Sequence, residues 1–165
     1  MITSFEPIVD KNCKILILGT MPSVQSLEKQ QYYGNKRNQF WEIIYSLFNK
    51  DVEEDYDNRK IFLLSHHIAI WDVLKSCDRV GSSDSKIINP VSNYFENFFN
   101  QYLDIKAVFF NGSKAEKLFR KLVMGKMNLK EGLLFCRLPS TSTANAIQFK
   151  DKLDQWKVIL LYLAG

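Results

Sequence analysis

Residues 19–41, which read GTMPSVQSLEKQQYYGNKRNQFW, combine groups that suit a flat, polar ligand carried on a phosphate backbone. A glycine and a proline form a tight turn after the apolar run at residues 14–18, and paired tyrosines, two cations and Asn38 follow. An asparagine amide both donates and accepts hydrogen bonds, aromatic rings stack, and cations attract phosphate. In doubly wound α/β sheets, ligands lie outside the carboxyl ends of the strands. The pattern therefore predicts a binding site after the first buried strand.

The elements that must position these residues alternate between strands and helices. Continuous apolar runs predict buried strands, and spaced apolar residues behind capping residues predict helices. The strands are predicted at residues 14–18, 68–74, 106–110 and 132–138. Helices are predicted at residues 23–30, 38–49 with Asn38 as N-cap, 58–65, 90–102, from a cap at Ser113 to 123, and 145–163. This alternation predicts an α/β fold with a parallel sheet and helices on both faces.

Length and composition predict one globular domain over residues 1–165. The chain is 46% hydrophobic and 24% charged, which is typical of a folded domain and not of a disordered one. No run of 18 apolar residues is present, so no membrane span is expected. The first residues lack an apolar stretch of signal-peptide length, which predicts a cytoplasmic protein.

The cysteines and histidines do not form a metal-binding pattern. Cys13, Cys77 and Cys136 are far apart and odd in number, and no CxxC occurs. These features argue against a disulfide framework, a zinc knuckle and a four-cysteine iron–sulfur cluster. His66 and His67 are adjacent, so in a strand they would point to opposite faces. Neither a metal nor a cofactor is expected.

The charge distribution is uneven although the net charge is only +4. Residues 51–57 hold five acidic and no basic residues, whereas residues 112–137 hold seven basic and two acidic residues. An asymmetric charge pattern fits a polyanionic partner, and a solvated helix face is the alternative interpretation.

Residues 19–41 resemble the first motif of the uracil-DNA glycosylase superfamily, in the form found in its hypoxanthine-DNA (deoxyinosine) glycosylases. Later stretches agree in the family's order, namely HIAIWDVLKSCDRVGSSDSKI from residue 67, FFNGSKA from residue 109 and LPSTSTANA from residue 138. The resemblance spans nearly the whole chain. It implies a three-layer α/β/α sandwich around a four-stranded parallel sheet, which matches the strands counted from the sequence.

The resemblance implies that Asn38 is the catalytic residue, because it matches the asparagine before x-Phe-Trp in hypoxanthine-type enzymes. Its oxygen would orient water or its amide would contact the base, and a helix cap is the alternative. Phe40 would stack on the flipped base, with a core position as its alternative. Asn111 would read the base edge or serve as a turn residue. The other residues expected at the base are Gly19, Thr20, Met21, Pro22 and Tyr33, with Tyr32 as the alternative to Tyr33 for the pocket wall.

The resemblance also implies which residues contact the DNA. Hydroxyl-rich loops bind phosphates on either side of a flipped nucleotide, and Leu138 or an apolar neighbour would wedge into the base stack. The residues expected to contact DNA are Lys36, Arg37, Leu138, Pro139, Ser140, Thr141 and Ser142.

Several positions depart from the family pattern. Ser23 replaces the glycine of the usual GSMPG, Gly34-Asn35-Lys36 stands where Ala-His-Pro is usual, and Thr143 replaces a proline. These changes leave Asn38, Phe40 and Pro139-Ser140 in place. They bear on base preference and on loop rigidity.

The function that these features predict is a monofunctional DNA glycosylase that removes hypoxanthine by hydrolysing the N-glycosidic bond. Its partner would be double-stranded DNA with deaminated bases, and it would act as a monomer, associated with the nucleoid. A uracil-removing enzyme of the same fold is the first alternative, and a nucleic-acid-binding module without turnover is the second. A small-molecule hydrolase is a third, although no GxSxG elbow occurs.

Overall fold

A computed structural model describes residues 1–164 and contains two sheets. Gly165, the end of the domain predicted from the sequence, lies outside the described residues. The strands are β1 (Ile2–Thr3), β2 (Ile15–Gly19), β3 (Ile68–Asp72), β4 (Leu74–Asp78), β5 (Ile88–Ser92), β6 (Ala107–Asn111) and β7 (Leu134–Leu138). The helices are α1 (Val24–Lys29), α2 (Phe40–Leu47), α3 (Tyr56–Ser65), α4 (Phe95–Gln101), α5 (Ser113–Leu122), α6 (Phe149–Trp156) and α7 (Ile159–Leu163), with a 3-10 turn at Asp84–Lys86.

The larger sheet has four parallel strands in the order β3-β2-β6-β7. Every residue of β2 is buried, as its unbroken apolar sequence predicts for a central parallel strand. At the carboxyl edge, Gly19 of β2 lies opposite Asp72 of β3, and Asn111 of β6 lies opposite Leu138 of β7. One edge of the sheet therefore gathers a glycine, a carboxylate and an amide.

Helices cover both faces of this sheet, which confirms the α/β sandwich. Side chains of β2 alternate between the two faces, as the period of a strand requires. Ile15 and Ile17 pack in one core layer with Phe40 and Trp156. Leu16 and Leu18 pack in the other layer, whose largest members are Phe95, Phe99, Phe110 and Phe119.

The smaller sheet was not predicted from the sequence. It is antiparallel, in the order β1-β4-β5, and it follows directly from the end of β3. The strand predicted at residues 68–74 ends at Asp72, and the chain then changes sheets. The helix predicted at residues 90–102 is wrong over its first part, because β5 contains Pro90 and α4 begins only at Phe95. An edge strand tolerates a proline because one side of it needs no ladder hydrogen bond.

Several helix boundaries also differ from the prediction. Gly112, with φ of 96°, occupies the cap position where Ser113 was expected. The final helix begins at Phe149 instead of residue 145, and it is interrupted after Trp156. There the hydrogen bond from Lys157 N to Leu153 O gives way to one from Val158 N to Gln155 O, which is a tighter turn. Over residues 1–164, no helix has the length and apolarity needed to cross a membrane.

Candidate active site

A cavity of about 180 Å³ opens at the carboxyl edge of the four-stranded sheet. The predicted base-binding residues that line it are Gly19, Thr20, Met21, Pro22, Tyr33 and Asn111. Asn38 lines it as well, together with Ser140, Thr141 and Ser142 from the loop after β7. The structure thus brings together residues that are more than 100 positions apart in the chain. Phe40, Leu138 and the exposed cations Lys36 and Arg37 lie outside this lining.

Asn38 is held in one orientation by its side-chain oxygen. Oδ1 accepts a hydrogen bond from Phe40 N at 2.9 Å and another from Thr141 Oγ1 at 2.8 Å. Gln39 occupies the position before α2, so Asn38 caps the helix from one residue further out than predicted. Because the backbone N–H of Phe40 can only donate, the atom it contacts must be the oxygen, and the NH₂ group is the other terminal atom, which makes no hydrogen bond to residues 1–164. The site therefore presents an amide donor at Asn38.

Asn111 fixes Thr141, which in turn fixes Asn38. Its Nδ2 donates to Thr141 Oγ1 at 3.0 Å and to Tyr33 Oη at 3.1 Å, and its Oδ1 accepts from Thr141 N at 2.9 Å. Both amide hydrogens and the oxygen are thus engaged within the protein. In this structure Asn111 positions Thr141 and Tyr33, and its predicted role at the base edge stays a prediction.

Tyr33, and not Phe40, lines the cavity. Phe40 is fully buried, and the Tyr33 ring stacks on it at 3.9 Å between centroids and 16° between planes. Phe40 therefore has no free face for a base, which corrects the stacking role assigned to it from the sequence. Tyr33 has a positive φ of 53°, a conformation that bulky residues rarely adopt and that is often found at functional sites. Phe40 supports this ring from behind.

Asp72 and Asp84 add a pair of carboxyl groups to the cavity that the sequence interpretation missed. Asp72 is only 5% exposed, and its Oδ2 has no hydrogen-bond partner in the described part of the chain. Burial, followed by the negative charge of Asp84, raises the pKa of Asp72 to about 7, while Arg79 acts in the opposite direction. Burial also raises the pKa of Asp84, and a hydrogen bond from Thr20 opposes that shift. The sequence feature that could have identified Asp72 is its position at the end of a buried strand.

Gly19 is needed because these groups approach its backbone closely. A Cβ at this position would lie 2.7 Å from Asp72 Oδ1 and 3.1 Å from Tyr33 Oη. A Cβ contact of 2.7 Å does not occur without displacement of one of the atoms, and one of 3.1 Å is tighter than most. A side chain at residue 19 would therefore move the carboxylate or the stacking ring.

Hydrogen bonds to its backbone carbonyl groups hold the loop at residues 139–148 in place. The buried ammonium of Lys152 donates to Ser142 O at 3.1 Å and to Gln39 Oε1 at 2.8 Å, and burial lowers the pKa of Lys152. Trp156 Nε1 donates to Pro139 O at 2.9 Å. Helix α6 thus holds the loop against the segment that carries Asn38.

Leu138 does not reach the surface. Its side chain is 3% exposed and packs within the core layer of Phe40 and Trp156, so it cannot wedge between bases in this structure. This corrects the wedge role. Ile147, on the same loop, is 41% exposed and lines the groove beside the cavity, which makes it the apolar neighbour at the surface.

The departures from the family motif have local structural roles. Ser23, in place of glycine, caps α1 by accepting from Ser26 N at 3.1 Å. Asn35 lines the cavity, and its Oδ1 accepts from Arg37 N at 3.0 Å. Both therefore stabilise turns that border the cavity. Within residues 1–164, no group of three or more histidine, cysteine, aspartate or glutamate side chains is arranged to hold a metal ion.

Replacing Asp72 with asparagine is expected to stabilise the protein at pH 8 and to change its stability little near pH 4. A carboxyl whose pKa is raised on folding keeps its proton in the folded state while the unfolded chain loses it, so stability is lost between the two pKa values. The expected gain in the free energy of unfolding increases from about pH 4 to about pH 7 and reaches about 2–4 kcal/mol. Urea unfolding of both proteins at pH 4, 6 and 8 measures it. A difference that does not change with pH would contradict the raised pKa.

Comparison with known proteins adds three findings. Residues 6–164 match the family described as the uracil DNA glycosylase superfamily. The chain is 35% identical to "Hypoxanthine DNA glycosylase" of Methanosarcina acetivorans over 156 residues, covering 94% of this chain and 95% of the relative. It is 33% identical to the protein of the same name from Methanosarcina barkeri over 153 residues, covering 92% and 93%.

A solved structure agrees with these sequence relatives. It is a solution NMR structure from Methanosarcina acetivorans, described provisionally as a uracil DNA glycosylase, and it superimposes with a TM-score of 0.80 at 33% identity. The match covers 98% of this chain and 97% of the other. Fold and sequence comparisons therefore point in the same direction.

Proposed function

The chain belongs to the uracil DNA glycosylase superfamily and is a DNA glycosylase, and we propose that the base it removes is hypoxanthine, the deamination product of adenine. The observation that carries this proposal is the pair of relatives named for hypoxanthine, each matched over more than 90% of both chains. The cavity supports it, since the aromatic residue Tyr33 and the free amide donor of Asn38 both line it at the edge of the sheet.

The target base must leave the duplex to reach this cavity. Enzymes that act on a base rotate the nucleotide out of the stack and grip the base in a pocket. We propose that the base stacks on Tyr33 and contacts the backbone of residues 19–22. The hydroxyls of Ser140 and Ser142 and the cations Lys36 and Arg37 would contact the flanking phosphates. Lys36 and Arg37 are exposed between Tyr33 and Asn38, where they can reach DNA without burying their charge.

The reaction that follows is hydrolysis of the bond between C1′ and N9. As this bond breaks, the sugar gains oxocarbenium character and negative charge builds on the base. We propose that Asn38 Nδ2 donates a hydrogen bond to the base and stabilises that charge, because its orientation is set before the substrate arrives. Water adds its oxygen to C1′, and its protons end on the sugar hydroxyl and the departing base. This chemistry requires no cofactor, and we propose that the chain acts on double-stranded DNA as a single-domain monomer in the cytoplasm.

The experiment that tests the base assignment is excision from labelled duplexes holding a single deoxyinosine or a single deoxyuridine. Strand breaks after alkaline treatment report excision, and chromatography identifies the free base. Release of hypoxanthine supports the proposal. Release of uracil alone, which the description of the NMR relative favours, would move the specificity to the other base. Binding of the deoxyinosine duplex without release of either base would identify a binding module and overturn the assignment.

Replacing Tyr33 with leucine is expected to slow hypoxanthine release by about 10- to 100-fold, because stacking of a base on an aromatic ring contributes about 1–3 kcal/mol. The matched control is Tyr33→Phe, which keeps the ring and removes only the hydroxyl that accepts from Asn111 at 3.1 Å. Single-turnover rates should fall much less for phenylalanine than for leucine. Equal losses in the two variants would show that the hydroxyl, and not the ring face, is what matters.

A further inference from the structure

We propose that Asp72 determines specificity by accepting a hydrogen bond from the ring N–H that deamination places on the base. The inference rests on the proposed function and deepens it. Hypoxanthine carries a hydrogen on N1, whereas adenine presents a lone pair there. A carboxylate in the cavity would favour the first base and repel the second.

The backbone fixes the position of the Asp72 side chain. Asp72 ends β3 opposite Gly19, and its carbonyl accepts a hydrogen bond from Asn93 Nδ2 at 2.8 Å. Oδ1 fills the space that a Cβ on Gly19 would occupy. Asp72 lines the cavity, yet its buried Oδ2 has no partner within residues 1–164. A buried polar atom without a partner is rare in folded proteins and is a place where a ligand can complete the hydrogen bonding.

The other amide oxygens of the cavity already accept hydrogen bonds within the protein. The oxygen of Asn111 is used by Thr141 N, and the oxygen of Asn38 already accepts two hydrogen bonds. Asp84 also lines the cavity, but it is only half-buried and takes a hydrogen bond from Thr20. The deeply buried side-chain acceptor left free is therefore Oδ2 of Asp72.

The chemistry separates the damaged base from its parent. An ionised carboxylate has acceptors only, so it can pair with N1–H of hypoxanthine but not with N1 of adenine. Sites built around a hydrogen bond reject analogues that cannot complete it, because a buried polar group is then left unpaired. The same hydrogen bond to Asp72 admits uracil, which carries N3–H, and rejects cytosine. It does not by itself exclude guanine, which also carries N1–H.

The charge state of Asp72 gives the inference a pH signature. The groups that influence Asp72 or are influenced by it come from several elements, namely Asp84, Arg79, Tyr32, Tyr33 and Tyr56. Because the pKa of Asp72 is raised to about 7, the acceptor form is gained as pH rises through neutrality. Hypoxanthine excision should therefore increase across that range. At pH values below the pKa of Asp72, the protonated carboxyl group offers an O–H, which suits a base with a lone pair at N1.

The test compares release of hypoxanthine with release of unsubstituted purine, which has a lone pair at N1, from otherwise identical duplexes. Single-turnover rates are measured between pH 5.5 and 8.5 for the wild type and Asp72→Asn. Asparagine keeps the shape and can donate to N1, so the hypoxanthine-to-purine ratio should fall at least tenfold and the rise in rate near pH 7 should vanish. A second variant, Asp72→Ser, should release hypoxanthine at least tenfold more slowly and show no such rise.

Asp84→Asn serves as the matched control. It removes the neighbouring like charge and keeps the Asp72 carboxylate, so it should preserve the preference for hypoxanthine and move the rise in rate to lower pH. Thermal unfolding of each variant accounts for any loss of folded protein. If Asp72→Asn keeps both the wild-type ratio and the wild-type pH profile, the inference is wrong while the proposed function stands. If the wild type releases no hypoxanthine, both fail together.

Discussion

Replacing Asn38 with alanine is expected to reduce hypoxanthine release by about 10²- to 10³-fold in single-turnover rate, which is the range for losing one preorganised donor at a developing charge. The reason lies in the two hydrogen bonds to Oδ1, from Phe40 N and Thr141 Oγ1, which turn the NH₂ group away from the protein's own acceptors. Binding of deoxyinosine duplex should change much less than the rate. Rate constants at saturating enzyme and separately measured dissociation constants distinguish the two effects.

Asn38→Asp is the matched control for that prediction. Aspartate has nearly the same shape and keeps an oxygen for Phe40 N and for Thr141 Oγ1, but as a carboxylate it cannot donate a hydrogen bond. If the amide hydrogens perform the function, the aspartate variant should be as slow as the alanine variant. An aspartate variant that matches or exceeds the wild-type rate would contradict the donor role and assign catalysis to the oxygen acting on water.

Replacing Thr141 with valine is expected to lower the rate of hypoxanthine release by about 100-fold, because small displacements of a catalytic group have effects of that size. Thr141 is 1% exposed, and its hydroxyl accepts from Asn111 and donates to Asn38. Valine keeps the volume and removes both bonds, so buried polar atoms lose partners and stability should fall by about 1–3 kcal/mol. Single-turnover kinetics and urea unfolding of the same preparation measure the two effects.

Thr141→Ser controls for the loss of packing, because serine keeps the hydroxyl and lacks only the methyl group. It should retain most of the wild-type rate. The effect of valine should also be largely lost when Asn38 is already alanine, since Thr141 acts through that residue. Losses that simply multiply in the double variant would show that Thr141 acts on the substrate independently of Asn38.

The fold was predictable where one signal dominated. The apolar runs that became β2 and β6 have no competing interpretation, and helices between them force a parallel sheet with two covered faces. The small antiparallel sheet was missed because its strands carry mixed polar and apolar residues, and because Pro90 suggested a helix start. An edge strand and the first turn of a helix both tolerate proline, so the sequence alone does not separate them.

The site was predictable as a set of residues but not as a set of roles. The family resemblance singled out Asn38 and placed Tyr32 or Tyr33 at the pocket wall, and all three residues line the cavity. The stacking of Tyr33 on Phe40 decides which of the two rings lines the cavity, and this stacking is a feature of tertiary structure. The importance of Asp72 depends on its neighbour across the sheet, Gly19, more than 50 residues earlier in the chain. The local sequence pattern does not reveal which residues lie opposite each other in the sheet.

The most direct test of the account is release of free base from a duplex with one deoxyinosine, by wild-type protein and by Asn38→Ala in the same experiment. Chromatographic identification of the released base separates excision from strand cleavage by other routes. The account predicts that the wild type releases hypoxanthine and that Asn38→Ala, folded and still bound to the duplex, releases it at least 100-fold more slowly. Hypoxanthine release that is equally fast without the Asn38 side chain would contradict it.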